Sequence, residues 1–224
     1  MSTTVMWLIF FIVAAVIIVA STLRKKRFSI MEIAIIGVMA ALAYVAYTFL
    51  KIPITMGGST SSIHIGNAFP ALTALLLDGV CGGLAGAVGL VLADIVAGTP
   101  HYAITTFILK YLIGITCGLV AHRVFRLNRR SPKDGKSYYA AVVLSAASGL
   151  VLNIFADPFL GYFRKIYIQG IPTDFATVLT KISSGVTAVN SLICTVLVVA
   201  LYLVLNPVLK KTGLLNRGGR KHRR

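Results

Sequence analysis

The chain has 224 residues, of which 57% are hydrophobic and 12% charged, and its mean hydropathy is +0.87. A soluble globular domain carries about twice that share of charge, so the composition excludes one and implies an integral membrane protein. The net charge of +16 would suggest nucleic acid in a soluble chain; here seventeen of the 22 Lys and Arg fall in residues 24–27, 123–136 and 210–224, segments that can share one membrane face and its anionic lipids.

Residues 5–23 form an unbroken apolar run, long enough for a bilayer that takes about 20 residues of helix. No basic residue precedes it and Arg-Lys-Lys-Arg follows, the reverse of a signal peptide, so an uncleaved anchor with its N-terminus outside is expected. Residues 30–50 form the next span. Glu32 sits in its first turn, where the helix dipole favours negative charge, and Gly37 and Ala41 make a small-xxx-small pair. Residues 51–63, rich in Gly, Ser and Thr, suit a mobile external cover better than a rigid hairpin.

Residues 64–77 carry Pro70 and are too short to span upright alone. Residues 80–97, 102–122, 138–160 and 178–205 complete seven spans, with residues 163–177 as an external loop and Asn206-Pro207 ending the last helix. This count puts every basic segment, and the C-terminus, in the cytoplasm. The expected fold is an all-α polytopic membrane helix bundle with residues 1–29 as anchor and linker, 30–211 as a six-helix domain and 212–224 as a basic tail.

Small residues recur at four-residue spacing: Gly79, Gly83 and Ala87; Gly82 and Gly86; Gly89, Ala93 and Ala97; Gly114 and Gly118. In lipid no hydrophobic force joins apolar helices, so close backbone approach at such seams takes over. Cys81, Cys117 and Cys194 lie in apolar stretches without metal-ligand spacing and are expected to be buried packing residues.

Ionisable groups at membrane depth mark cavities or partners, and Asp94, Lys110, Asp157 and Lys181 qualify. Three helices carry polar stripes: Tyr102, Thr106 and Lys110; Asn153 and Asp157; Ser183, Thr187 and Asn190. Together they predict a ligand pocket opening outwards beneath residues 51–63. Plainer roles stay open. Lys110 or Lys181 could pair with Asp94 or Asp157, Thr106 and Ser183 could bond their own backbone, His64 and His101 could be interfacial, and Asp78 a helix terminus. No phosphate loop, HExxH, GxSxG elbow or acidic metal pair is present, so no catalytic residue, metal or cofactor is expected. Uphill transport would draw on a partner or an ion gradient.

The segment IHIGNAFPALTALLLDGVCGGLAGAVGLVLADIVAG, followed by TTFILKYLIGITCGLVAH, resembles the substrate-binding S components of energy-coupling-factor (ECF) vitamin transporters, and is most similar to their riboflavin-transporter-like branch. The resemblance covers residues 31–211. It implies a six-helix protein of the prokaryotic plasma membrane that captures a vitamin-like ligand from outside and docks on a transmembrane coupling subunit and two ATPases, which consume the ATP. It further implies that Gly37 and Ala41 contact the coupling subunit. The ligand site it implies falls on the stripes above, and an aromatic cage would use Tyr102, Tyr162 or Phe155. The run at residues 5–23 is additional to the usual six helices. Two other functions fit the residues alone: a secondary carrier or channel relaying ions through Asp94, Lys110 and Asp157, and a membrane scaffold whose polar residues pair internally.

Overall fold

The computed structural model describes residues 12, 28–56 and 59–215. The expected anchor at residues 5–23 lies outside them apart from Ile12, as do residues 24–27 and 216–224.

The described residues form an all-α membrane bundle with one β-hairpin. In chain order the elements are α1 (Ile30–Phe49), β1 (Lys51–Met56), β2 (Ser59–His64), α2 (Ala68–Leu76), α3 (Gly79–Val96), α4 (Ala103–Leu119), α5 (Lys136–Tyr167) and α6 (Thr173–Lys211). Among the described residues five helices are long and apolar enough to cross a membrane: α1, α3, the segment Pro100–Val124 containing α4, α5 and α6.

Local chemistry sets the helix starts. The Ser29 hydroxyl accepts the Glu32 N–H while the Glu32 carboxylate accepts the Ser29 N–H, a reciprocal box that fixes the first turn of α1. Asp78 caps α3 by accepting the Cys81 N–H at 2.9 Å, the helix-terminus role its position suggested.

The small-residue seams bring α3 and α4 into backbone contact. A Cβ on Gly114 would run into the backbone of Gly82 and Gly83, and one on Gly118 into that of Gly79. Gly89 lies against the Ala40 carbonyl of α1, and Gly82 and Gly86 against Pro70 of α2. Gly37 differs, since nothing lies within 4 Å of where its Cβ would be. The apolar core behind the seams includes Leu72, Leu75, Ile113, Val142, Leu150 and Val198, and the three cysteines are buried and free as expected.

Four boundaries differ from the sequence reading. Residues 51–63 are no loose cover but an antiparallel hairpin with Lys51 opposite His64 and Met56 opposite Ser59. Residues 64–77 contain only the nine-residue α2, about 13.5 Å long at 1.5 Å per residue, under half of a hydrocarbon core of about 30 Å. Helix α5 continues to Tyr167 and α6 begins at Thr173, so residues 168–172 alone connect them instead of residues 163–177. Helix α6 passes Asn206-Pro207 and ends at Lys211; a membrane helix tolerates proline where neighbouring groups re-satisfy the freed carbonyl.

Candidate functional site

At the hairpin end of the bundle, α1, α3, α4, α5, α6 and the hairpin enclose one cavity. The cavity has a volume of about 130 Å³ and is open at its mouth. All eight residues expected on the stripes line it: Tyr102 from the turn just before α4, Thr106 and Lys110 from α4, Asn153 and Asp157 from α5, and Ser183, Thr187 and Asn190 from α6. The helical period brought them to one place because each stripe faces the bundle axis on its own helix.

The two carboxylates are tied to neighbouring helices. The Thr106 hydroxyl donates to Asp94 Oδ2 at 2.5 Å, joining α4 to α3, and the Thr187 hydroxyl donates to Asp157 Oδ2 at 2.6 Å, joining α6 to α5. Thr106 therefore bonds across the bundle instead of to its own backbone. Ser183 takes the plainer course, its hydroxyl sharing the carbonyls of Leu179 and Thr180 at 3.0 Å each. Lys110 is buried and lines the cavity, but no ion pair joins it to Asp94 or Asp157 among the described residues. Lys181 is exposed and lies off the cavity wall, so neither lysine acts as the internal ion-pair clasp left open by the sequence.

Asn190 has a role the stripes did not suggest. Its Oδ1 accepts the His64 N–H at 3.0 Å and its Nδ2 donates to the Ser62 carbonyl at 2.9 Å. Pro53 lies opposite Ser62 and has no N–H, so that pair fits the non-hydrogen-bonded position of an antiparallel ladder. Ser62 and His64 then turn their backbone groups away from β1, and the amide of Asn190 completes that edge.

His64 lines the cavity beneath this clamp. Its Nδ1 accepts the Gly66 N–H at 3.2 Å, and its ring meets Tyr47 edge-on at 4.8 Å. An imidazole that accepts at Nδ1 is neutral with its proton on Nε2. Burial, reinforced by the charges of Lys110 and Lys51, pushes its pKa down to about 3. A base whose folded pKa lies below its ordinary 6.5 opposes unfolding only while neutral, so its contribution is complete above pH 6.5 and lost as pH falls towards 3. Melting curves between pH 7 and 4 should show the wild type losing stability that His64→Gln does not lose; equal slopes would remove this role.

Several lining residues escaped the sequence. Arg164 stacks its guanidinium 3.6 Å above the Tyr102 ring and donates to the Thr105 hydroxyl at 3.2 Å. Lys165, Tyr47 and Asn67 line the same space, as does Asp94, which was noted for its charge alone. A signal for Arg164 existed: Asn153, Asp157, Gly161 and Arg164 follow one face at i, i+4, i+8 and i+11, but the span had been ended at residue 160. Of the three expected ring contacts only Tyr102 lines the cavity. Phe155 is 71% exposed on the outside of α5, and Tyr162, edge-on to Phe163, is not in the cavity wall. His101 is half-buried near the mouth and meets Gln169 at 3.1 Å.

Four buried side-chain atoms lack a hydrogen-bond partner among the described residues: Asn67 Oδ1, Asn153 Oδ1, Arg164 Nε and Ser145 Oγ. The first three belong to residues of the cavity wall. Buried polar groups are seldom left unpaired, since each costs about 1–3 kcal/mol. The one group among the described residues with metal-ligand proximity, Glu32, Asp78 and Cys81, lies at the opposite end of α1 from Tyr47, and both its carboxylates already accept backbone N–H groups at helix starts.

The sequence profile of the ECF-type riboflavin transporter S component matches residues 27–207. A UPF0397 protein from Exiguobacterium sp. is 26% identical over 167 residues, covering 68% of this chain and 84% of that protein. No solved structure matches the chain. The profile match runs from before α1 to Pro207 of α6 and takes in every element that walls the cavity, so the chain belongs to the S-component family of ECF-type riboflavin transporters, the substrate-binding membrane subunits of ECF systems.

Proposed function

We propose that the cavity is the ligand site, and that the chain captures a vitamin or vitamin precursor outside a prokaryotic cell and passes it on through a transmembrane coupling subunit powered by two ATPases. The observation that carries this is the convergence of three unpartnered buried polar atoms, on Asn67, Asn153 and Arg164, around one cavity. A ring compound with several donors and acceptors would satisfy them. The proposed contacts are Tyr102, Thr106, Lys110, Asn153, Asp157, Ser183, Thr187 and Asn190, joined by Arg164. Catalysis has no part in the cycle, and the ATP is spent by the partners.

Docking on the coupling subunit is assigned to α1, where Gly37 and Ala41 are exposed and the space over Gly37 is open. Residues 30–211 form the binding domain in this scheme, with residues 1–29 and 212–224 as appendages. The basic segments at residues 123–136 and 210–224 support a cytoplasmic C-terminus, with the hairpin end and the cavity mouth outside in this scheme.

Native mass spectrometry of the detergent-purified full chain, followed by release and identification of bound compounds, tests the proposal. A stoichiometric vitamin-like compound is expected, and Lys110→Met should weaken its retention by roughly tenfold or more, since a hydrogen bond to a charged group is worth about 1.5–3 kcal/mol. Uptake into liposomes by this chain alone, without ATP or partners, would instead establish a secondary carrier.

A further inference from the structure

Resting on the capture function above, we infer that the ligand bears an oxyanion, a carboxylate or phosphate, and that Arg164 and Lys165 hold it in the space left open by Gly161. Arg164 and Lys165 are neighbours on α5, 8% and 3% exposed, and both line the cavity. Two adjacent buried cations repel each other and lose hydration, a combination that folded proteins keep where an anion offsets it.

Among the described residues the wall carries fewer anions than cations. Lys110, Arg164 and Lys165 face the cavity against two carboxylates, Asp94 and Asp157. Each carboxylate is occupied by a threonine hydroxyl of the next helix, and among the described residues neither forms an ion pair with the three cations. His64 is neutral, as its acceptance of the Gly66 N–H requires. Among the described residues, three basic side chains thus share this wall with two carboxylates.

Geometry places the oxyanion. Arg164 is fixed by the Tyr102 face and the Thr105 hydroxyl, while its Nε has no partner. Among the described residues Lys165 has only a weak contact, with the Thr180 hydroxyl at 3.5 Å. At Gly161, one turn earlier and in the cavity wall, a Cβ would lie 3.6 Å from Lys165 Nζ and 3.9 Å from Arg164 Nη2. Both cationic heads thus converge on a point that glycine keeps empty, and a planar guanidinium beside an ammonium suits carboxylate or phosphate oxygens.

Matched pairs test this on the purified full chain by titration calorimetry: riboflavin with riboflavin 5′-phosphate, pyridoxine with pyridoxine 5′-phosphate, and nicotinamide with nicotinate. For the ring that binds, the oxyanion-bearing member should bind at least about tenfold more tightly than its neutral mate. The phosphate and carboxylate pairs separate the two anion classes. Arg164→Gln, Lys165→Gln and Gly161→Leu should each bring that ratio close to one, whereas Lys165→Arg, which keeps the charge, should preserve it. A neutral mate that binds as well or better overturns the inference and leaves capture standing. A preference untouched by all three variants overturns the assignment to Arg164 and Lys165. If no member of any pair binds and native mass spectrometry finds the protein empty, capture falls as well.

Discussion

Gly114→Ala should lower the apparent melting temperature of the purified protein by roughly 5–10 °C, while Gly37→Ala should leave it within about one degree of the wild type. Both residues belong to small-residue pairs and look alike in sequence. In the fold Gly114 rests on the backbone of Gly82 and Gly83, so a methyl group has nowhere to go unless α3 and α4 part along their whole seam. Side chains can rotate away from an added carbon; a helix backbone can only shift as a unit. Overpacking of a core costs about 1–3 kcal/mol, and contact with backbone belongs at the upper end. Equal melting temperatures for the two variants would show that the seam is looser than described.

The second large effect is expected at Asn190. Its amide donates to the Ser62 carbonyl and accepts the His64 N–H, and Asn190→Ala leaves both backbone groups unpaired beneath the hairpin. At about 1–3 kcal/mol for each of the two unsatisfied groups, the hairpin should open at least about 30-fold more often. Hydrogen exchange at the amides of β2 reads this directly, and a bound ligand should leave faster by a similar factor. Asn190→Asp keeps the acceptor for His64 and loses the donor to Ser62, so it should fall between the two. Unchanged exchange in Asn190→Ala would mean that β2 is held by other contacts and that Asn190 serves the ligand alone.

These two residues also mark what the sequence could and could not convey. Stripes such as Tyr102, Thr106 and Lys110 were legible because a helix places side chains by a fixed local period, and one helix needs no knowledge of its neighbours. Asn190 was found by the same period, but its partners lie more than 120 residues away on a strand, and nothing local announces a long-range bond. The hairpin had a local signal: Ile52 and Ile54 alternate with other residues, and Gly57-Gly58 stands between two six-residue runs. The hydroxyl-rich composition was given more weight than that alternation. Arg164 and Lys165 were missed for a different reason. They lie past residue 160, where the hydropathy of the span falls off, yet a helix that lines a cavity can carry charge beyond that point. Glu32 and Asp78 were placed correctly at helix starts because capping depends on residues three apart.

Helix α2 carries a consequence for how the protein is made. Eight of its nine residues are buried, and it is far too short to partition into lipid as a segment in its own right. Its backbone is admissible at membrane depth only inside a protein wall, and α3, α4 and α6 provide that wall from later in the chain. The stretch that bears α2 therefore depends for its place at membrane depth on helices that follow it in the chain. A nascent chain released before α4 and α6 are complete would present an apolar segment without a berth, the kind of species that membrane quality control removes.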